Sequence, residues 1–520
     1  MAKGSRTRNS LYNFITGIGG QILTTILEFL VRTVFISILG KTFLGVNGLF
    51  SNILTMLSLA ELGVGSAIVF KLYDPIAKQD QHRIIALMNF YKKAYMLIGM
   101  VITVAGITLI PLLPVIIKNY QTYEKLQINL VFVYALFLTR TVSSYLFFAY
   151  KTALIKANQQ EYLLNIISYI FTIMTAVVRI VVMFIYPKFE TYILISIVFV
   201  ILQNIAYATK ANKLFPYLKT NNREIISKSE QKEILKDCGA LVLYKINGVV
   251  LKGTDNIILS SFLGLEAVGM YSNYYLFYKT LDNVFRRVFE SVAHSIGDLH
   301  ATNKGRKEYC VFNRLLIITA ILASTTFIGV SVVGDEFIQS WVGKEWVFDQ
   351  PVALLIGLEL YTLCFRHFLA RYRTGMGLFR QAKFRPVAGM LINLIVSLVM
   401  VQRWGVCGVL FGTIIADWTT FMWYDPIIIH KYGFKNSSLV KEYFLNYIKY
   451  FFATIVVLNM DKWLCSIIVP SHGWISIIIH SLICGITAPV FILLISWKRE
   501  ERKYLTDMIK KVVNRTKKRI

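Results

Sequence analysis

The sequence predicts an all-α integral membrane protein with about fourteen transmembrane helices. Hydrophobic residues make up 56% of the 520 positions and charged residues only 16%, and the mean hydropathy is +0.56. Apolar blocks of about 20 residues, the length that crosses a bilayer as a helix, recur along the whole chain. The predicted spans are residues 11–39, 46–70, 94–117, 128–150, 162–186, 190–209, 238–262, 266–298, 310–334, 351–373, 386–402, 406–429, 445–468 and 474–496.

The distribution of basic residues supports the order of these spans. The formal net charge is +27, which in a soluble protein would suggest nucleic-acid binding. Here thirty-eight lysines and arginines lie in segments predicted to be cytoplasmic and seven in segments predicted to be outside, as the positive-inside rule requires. We therefore expect a multi-pass protein of the cytoplasmic membrane with both termini in the cytoplasm, and no nucleic-acid partner. The basic tail, residues 497–520, is expected to lie along anionic lipid headgroups.

The longest polar segment in the chain interior, residues 210–237, predicts a cytoplasmic linker. It separates an N-terminal lobe of helices 1–6 (1–209) from a C-terminal lobe of helices 7–12 (238–430). The segments ILGKTFLGVNGLFSNI (38–53) and FLGLEAVGMYSNYY (262–275) are similar, which favours a repeat of whole bundles. Helices 13 and 14 (431–496) lie outside this repeat and precede the tail.

Beyond those counted above, eleven lysines and arginines fall within the predicted spans. Each would cost roughly 2.5–3.5 kcal/mol if it faced lipid at the bilayer centre, so we expect most of them to face protein or water. They outnumber the acidic residues of the same spans, which predicts a water-filled cavity for an anionic ligand. The candidate binding residues are Arg32, Arg140, Arg179, Lys245, Lys252, Lys279 and Arg286.

Acidic residues within the spans are candidates for ion coupling or for charge pairing. They are Glu28, Glu61, Asp255, Asp282 and Glu290. Three pairs share a helix face and are equally consistent with structural neutralisation or with a role in the cavity: Glu28–Arg32, Lys252–Asp255 and Asp282–Arg286. Coupling to a proton or sodium gradient would use a carboxylate that titrates when substrate engages a neighbouring arginine.

No catalytic or cofactor motif is visible in the sequence. The six cysteines are scattered without a CxxC motif, and the seven histidines show no metal-ligand spacing. Nothing resembles a nucleophile triad or a nucleotide-binding loop. The sequence therefore predicts a protein that is not an enzyme and has no cofactor or metal site.

Several features together resemble one known family of transporters. They are the run TDNIILSSFLGLEAVGMYSNY (254–274), the segment WVGKEW (341–346), the two predicted lobes and the fourteen predicted helices. The family that they resemble is the polysaccharide transport family, which includes O-antigen and capsule-repeat flippases. This family belongs to the multidrug/oligosaccharidyl-lipid/polysaccharide exporter superfamily. The resemblance extends to about residue 430 and is strongest at 36–70 and 238–300.

The resemblance implies both an architecture and a substrate. The expected architecture is two six-helix lobes in a V, with two additional C-terminal helices. The expected substrate is an oligosaccharide repeat unit on undecaprenyl pyrophosphate, moved from the inner to the outer leaflet by alternating access. Family lumens are cationic, which matches the basic residues above. Polysaccharide polymerases and glycosyltransferases of the same pathway would be partners.

Two alternative functions stay open at this point. A lipid II flippase or a drug/ion antiporter would belong to the same superfamily; lipid II carries the same pyrophosphate, whereas a drug antiporter should have an acidic lumen. A membrane polysaccharide polymerase or ligase would need catalytic residues on large outer loops. The predicted outer loops are short, which disfavours this enzyme alternative.

Overall fold

The computed structural model describes residues 3–58, 61–125, 128–219, 224–302, 306–378, 380–382, 384–468 and 473–496. Helices account for nearly all of these residues, and no strand occurs in these ranges, so the predicted all-α membrane fold is confirmed. The helices are α1 Lys3–Leu57, α2 Glu61–Lys78, α3 Gln81–Leu109, α4 Leu113–Ile116, α5 Tyr120–Lys125, α6 Leu130–Leu146, α7 Thr152–Ala157, α8 Glu161–Ile185, α9 Phe189–Leu214, α10 Lys228–Leu263, α11 Leu265–Thr302, α12 Arg306–Val342, α13 Val352–Gly375, α14 Arg385–Ile428, α15 Leu439–Ile468 and α16 Trp474–Ile495.

Within the described residues, nine helices are long and apolar enough to cross a membrane, or ten if the bent pair that includes α6 and α7 counts as one span. Two observations explain the difference from fourteen. Helices α1 and α14 contain or overlap two predicted spans each, while α10 and α11 are rich in charged residues. The predicted span 46–70 was wrong as a continuous helix, because α1 ends at Leu57 and α2 begins at Glu61.

Both long helices bend at a glycine. Gly40 in α1 has a φ of 77° and Gly405 in α14 a φ of 52°, values that side chains with a Cβ rarely adopt. In α14 the two halves fold back on each other. Contacts between them show this: Gly412 lies against Ser397, and the Asn393 Nδ2 donates to Thr413 Oγ1 at 2.9 Å. Residues 385–404 and 406–428 therefore form a helical hairpin.

The chain divides into two compact units, Met1–Gly269 and Met270–Ile520. Helix α10, which follows the predicted linker, packs on α1 and α2 within the first unit. The lobe boundaries expected from the sequence, on either side of residues 210–237, remain a prediction. The predicted basic tail lies outside the described residues.

Ion pairs join the start of α10, where the predicted linker ends, to α2 and α3. The Lys71 Nζ lies 2.7 Å from Glu233 Oε1, and the Arg83 Nη2 lies 2.9 Å from Glu230 Oε1. The hydrogen bond from the Lys71 ammonium holds the pKa of Glu233 below its usual value. This end of the linker is therefore attached to the first unit by charge.

Each unit has its own aromatic core. In the first unit Phe50 packs edge-on against Tyr134 and Phe137, and the Tyr134 hydroxyl donates to the Gly106 carbonyl at 3.1 Å. In the second unit the Tyr372 ring of α13 packs edge-on against Phe312 and Phe368. Helix α13 is the central helix there: most of its residues are buried, and α12 and α14 pack against it. Helix α13 therefore contacts protein rather than lipid over most of its surface.

Candidate functional site

The first unit contains a cavity of about 370 Å³ formed by α1, α6, α8 and α9. We call it the arginine cavity, because Arg32, Arg140 and Arg179 all line it, together with Glu28. These are four of the candidate residues predicted from the sequence, and they come from three different helices. The other lining residues are Leu27, Val31, Phe35, Leu44, Asn47, Phe171, Thr172, Thr175, Ala176, Tyr192, Ser196, Phe199, Val200 and Gln203.

Helical spacing explains how these side chains meet. Glu28 and Arg32 are four residues apart on α1 and therefore share a face. Ser196 and Gln203 are seven residues apart on α9, about two turns, and face the cavity for the same reason. Each contributing helix is otherwise apolar, so the inward polar face is the side that avoids lipid.

Arg179 is held in place by contacts from α9. Its Nη2 donates to Ser196 Oγ, and the Ser196 hydroxyl donates to the Tyr192 carbonyl at 2.9 Å. The guanidinium also lies over the Tyr192 ring, 4.3 Å from the ring centroid, in a cation–π contact. Two neighbouring side chains of one helix therefore orient this cation toward the cavity.

The charge of the lining is positive. Three guanidinium groups and one carboxylate line the cavity, and Arg140 and Arg179 have no ion-pair partner within the described part of the chain. A guanidinium presents donors in a planar fork that matches phosphate and carboxylate oxygens. The arrangement is therefore suited to an anion with several oxygens, such as a phosphate.

Arg140 also lines a second cavity of about 380 Å³. We call it the hydroxyl cavity, because it is lined by the side chains of Ser51, Thr55, Ser58, Thr141 and Ser144. Several of these hydroxyls donate to backbone carbonyls of their own helices, for example Thr55 to Ser51 at 2.7 Å. Their oxygens can still accept hydrogen bonds, so this space offers acceptors next to a cation.

The remaining sequence candidates lie elsewhere or outside the described residues. The side chains of Lys245, Lys252 and Glu61 lie outside them, so the prediction that Lys245 and Lys252 line the cavity stays a prediction. Asp255 is buried in α10 of the first unit. Lys279 is exposed on the part of α11 that belongs to the second unit.

Charges of α11 in the second unit are engaged by other side chains. Asp282 accepts from Arg286 Nη2 at 3.0 Å, and its other oxygen lies 2.8 Å from His367 Nε2. Glu290 Oε1 lies 3.4 Å from Arg371 Nη2. Of the two interpretations that the sequence left open for Asp282–Arg286, these contacts favour a structural pair.

Sequence reasoning missed the polar residues of α9 that complete the arginine cavity. Ser196, Gln203 and Tyr192 carry no net charge, and hydropathy does not distinguish them from ordinary residues of a membrane helix. The available signal was their position: Ser196 and Gln203 share a face of an apolar helix at a spacing of seven.

Known structures share this architecture. A lipid II flippase, MurJ, in an inward closed conformation aligns with a TM-score of 0.67 at 13% identity, over 93% of this chain and 98% of that chain. An inward-facing multidrug-resistance MATE family transporter of the MOP superfamily aligns with a TM-score of 0.55 at 14% identity, over 81% and 96%. The chain shares its fold with both proteins.

No protein-family model and no curated protein matches the sequence. The likeness to the solved structures is therefore one of fold, over nearly the whole chain.

Proposed function

We propose that this protein is a flippase for an oligosaccharide repeat unit linked to undecaprenyl pyrophosphate. It would move the unit from the inner to the outer leaflet of the cytoplasmic membrane by alternating access, for export of a surface polysaccharide. The observation that supports this most directly is the convergence of Arg32, Arg140 and Arg179 on one cavity that has a single carboxylate.

The chemistry of the arginine cavity fits a pyrophosphate diester. Each phosphate of such a diester carries one negative charge, which balances the excess of guanidinium over carboxylate in the lining. Arg179, oriented by Ser196 and Tyr192, is positioned to donate two parallel hydrogen bonds to phosphate oxygens. Arg140 lies where the arginine cavity meets the hydroxyl cavity, so it would contact the phosphate nearest the sugar.

Coupling to an ion gradient is part of the proposal. Glu28 is the carboxylate that lines the arginine cavity, and a phosphate bound to Arg32 would compete with it for the guanidinium. Release of Arg32 would leave the Glu28 carboxylate available to a proton or a sodium ion and so link substrate binding to the ion gradient. The amide variant Glu28→Gln should then flip substrate at a rate independent of the pH gradient, and an unchanged pH dependence would remove Glu28 from the coupling.

Surroundings and partners follow from the same proposal. Both termini would face the cytoplasm, and the basic tail would contact anionic headgroups. Glycosyltransferases of the same polysaccharide pathway would act before the flipping step, and polymerases would act after it.

A second candidate function is flipping of lipid II. The likeness to a lipid II flippase over 93% of the chain supports it, and the same pyrophosphate chemistry would apply. A drug/ion antiporter is less well supported, because a cationic lining repels cationic drugs.

The test is flipping by the purified protein in proteoliposomes. Fluorescent undecaprenyl-pyrophosphate oligosaccharide and fluorescent lipid II would be compared by their accessibility to a membrane-impermeant quencher. Arg140→Gln and Arg179→Gln should each slow flipping about ten- to hundredfold, because a charge-assisted hydrogen bond contributes about 1.5–3 kcal/mol. Arg83→Gln is the matched control, since Arg83 is exposed and pairs with Glu230.

Each outcome decides between the candidates. Faster flipping of the oligosaccharide lipid supports the first proposal, and faster flipping of lipid II supports the second. Failure of the wild type to flip either lipid, or normal rates in both arginine variants, would contradict the assignment of the arginine cavity.

A further inference from the structure

The first unit contains a larger cavity that the pyrophosphate does not occupy in the proposal above. It measures about 830 Å³, within the range of ligand pockets in proteins, roughly 300–1,000 Å³. We call it the tyrosine cavity, because Tyr73, Tyr91, Tyr95 and Tyr207 line it. Its lining residues from α2, α3, α7 and α8 lie in or next to segments that the charge distribution predicts to be cytoplasmic, so it belongs to the cytoplasmic half.

The chemistry of this lining differs from that of the arginine cavity. Besides the tyrosines it offers the amides of Asn165 and Asn204 and the hydroxyl of Ser168. Its one lysine, Lys156, lies 3.6 Å from its one glutamate, Glu161. The lining is therefore neutral overall and rich in hydrogen-bonding groups, which suits a neutral hydroxylated ligand better than an anion.

Aromatic faces at its entrance are left open to solvent. Phe70 is 71% exposed and Tyr73 is 48% exposed, although both are large side chains on a helix that packs within the unit. The two rings meet edge to face, 6.3 Å apart. Open aromatic faces beside hydrogen-bonding groups form the kind of surface on which the C–H faces of sugar rings stack.

A single hydrogen bond links the walls of the two cavities. Gln203 lines the arginine cavity, Tyr207 lines the tyrosine cavity, and the Gln203 Nε2 donates to the Tyr207 hydroxyl oxygen at 2.6 Å. Helices α8 and α9 contribute side chains to both cavities. The two cavities are therefore neighbours along α8 and α9.

We propose that the tyrosine cavity is the binding subsite for the neutral saccharide portion of the lipid-linked substrate. This inference rests on the proposed function, since it takes the phosphates to occupy the arginine cavity. The sugars would stack on Tyr73 and donate and accept hydrogen bonds with Tyr207 and the neighbouring amides. The subsite would thus recognise the cargo before it is translocated.

The test compares two ligands that differ only in their sugars. Binding of undecaprenyl pyrophosphate and of undecaprenyl pyrophosphate carrying a neutral trisaccharide would be measured on the full-length protein in detergent by native mass spectrometry. The wild type should bind the glycosylated lipid more tightly. Tyr73→Ala should weaken binding of the glycosylated lipid about three- to tenfold and leave binding of the bare lipid unchanged. Tyr207→Phe should weaken binding of the glycosylated lipid more than binding of the bare lipid, because it also removes the bond to Gln203 of the arginine cavity.

Matched controls separate a lost contact from a damaged fold. Tyr186→Ala removes a tyrosine that is 49% exposed at the other end of α8 and should change neither affinity. The unfolding temperature of each variant would be measured alongside binding. Tyr207→Phe keeps the ring, so it reports on the hydroxyl group alone.

The outcomes distinguish this inference from the proposed function. Equal affinity for the two lipids in the wild type, or equal weakening of both by the tyrosine variants, would overturn the saccharide subsite. If Arg179→Gln still weakens binding of both lipids, the assignment of the arginine cavity as the phosphate site stands even when the saccharide subsite is overturned. If the wild type binds neither lipid, the proposed function itself fails.

Discussion

Intramembrane arginines have different surroundings in the two units. Arg140 and Arg179 of the first unit line a cavity and lack a carboxylate partner among the described residues. Arg366 of the second unit lies between the two oxygens of Asp417, at 3.1 and 3.2 Å from its Nη1. The same residue type is thus neutralised by a carboxylate of the fold in the second unit, and lines a cavity without such a partner among the described residues in the first.

A second cluster in the second unit makes the contrast stronger. Asp425 is 1% exposed and pairs with two arginines, Arg385 and Arg373. The Arg373 Nε lies 3.7 Å from Asp425 Oδ2. The Arg385 guanidinium also stacks on the Phe421 ring, 3.9 Å from the centroid. The comparison teaches that a charge in a membrane helix indicates a ligand site only when the fold itself does not neutralise it.

The largest effect is expected from breaking the paired cluster. Asp425→Asn leaves two buried guanidinium groups without their carboxylate, so the free energy of unfolding should fall by about 3–5 kcal/mol. Chemical unfolding in detergent, followed by tryptophan fluorescence, would measure this. Asp74→Asn, which removes an exposed partner of Lys78, should change it by less than about 0.5 kcal/mol; equal effects of the two variants would contradict the structural role of Asp425.

A smaller effect is expected for Arg286, which is half exposed. Its bond to Asp282 joins positions four residues apart on one helix, and such pairs contribute about 0.3–0.5 kcal/mol. A double-mutant cycle of Arg286→Gln with Asp282→Asn would measure this coupling in unfolding experiments. A flipping defect far larger than the stability loss would instead make Arg286 a substrate-binding residue, as its position in the sequence first suggested.

The smallest effect on stability is expected for Arg140→Gln, a substitution that should slow transport strongly. Arg140→Gln removes a cation that has no ion-pair partner among the side chains that the structure describes, so the free energy of unfolding should change by no more than about 0.5 kcal/mol. Arg366→Gln, which leaves Asp417 buried, provides the comparison within the same unfolding assay. A loss of several kcal/mol in the Arg140 variant would show that Arg140 supports the fold as Arg366 does.

Much of the fold was predictable because hydropathy acts on whole segments. Apolar length predicted the membrane class and most helices, whereas the orientation that the charge asymmetry predicts stays a prediction. The bends at Gly40 and Gly405 were not predictable, since glycine is common in membrane helices and only the three-dimensional contacts show where its backbone turns. The break between Leu57 and Glu61 was missed because both sides of it are equally apolar.

The candidate site was predictable only in its charged part. Arg32, Arg140 and Arg179 stand out because a cation in an apolar helix is costly. Tyr73 and Tyr207 do not, because tyrosine is also ordinary at membrane interfaces and these residues come from helices far apart in the sequence. A site formed by uncharged side chains from several helices has no local pattern to detect.

Helix α9 also fixes a length. Ser196, which orients Arg179, and Tyr207 are separated by eleven residues on this helix, and a rise of 1.5 Å per residue places them about 16 Å apart. A repeat unit of several sugars would follow this whole length, whereas a headgroup with a single sugar would contact only the part nearest the arginines. The spacing along α9 would then select substrates by the length of the oligosaccharide beyond the phosphates, and less by the identity of its sugars.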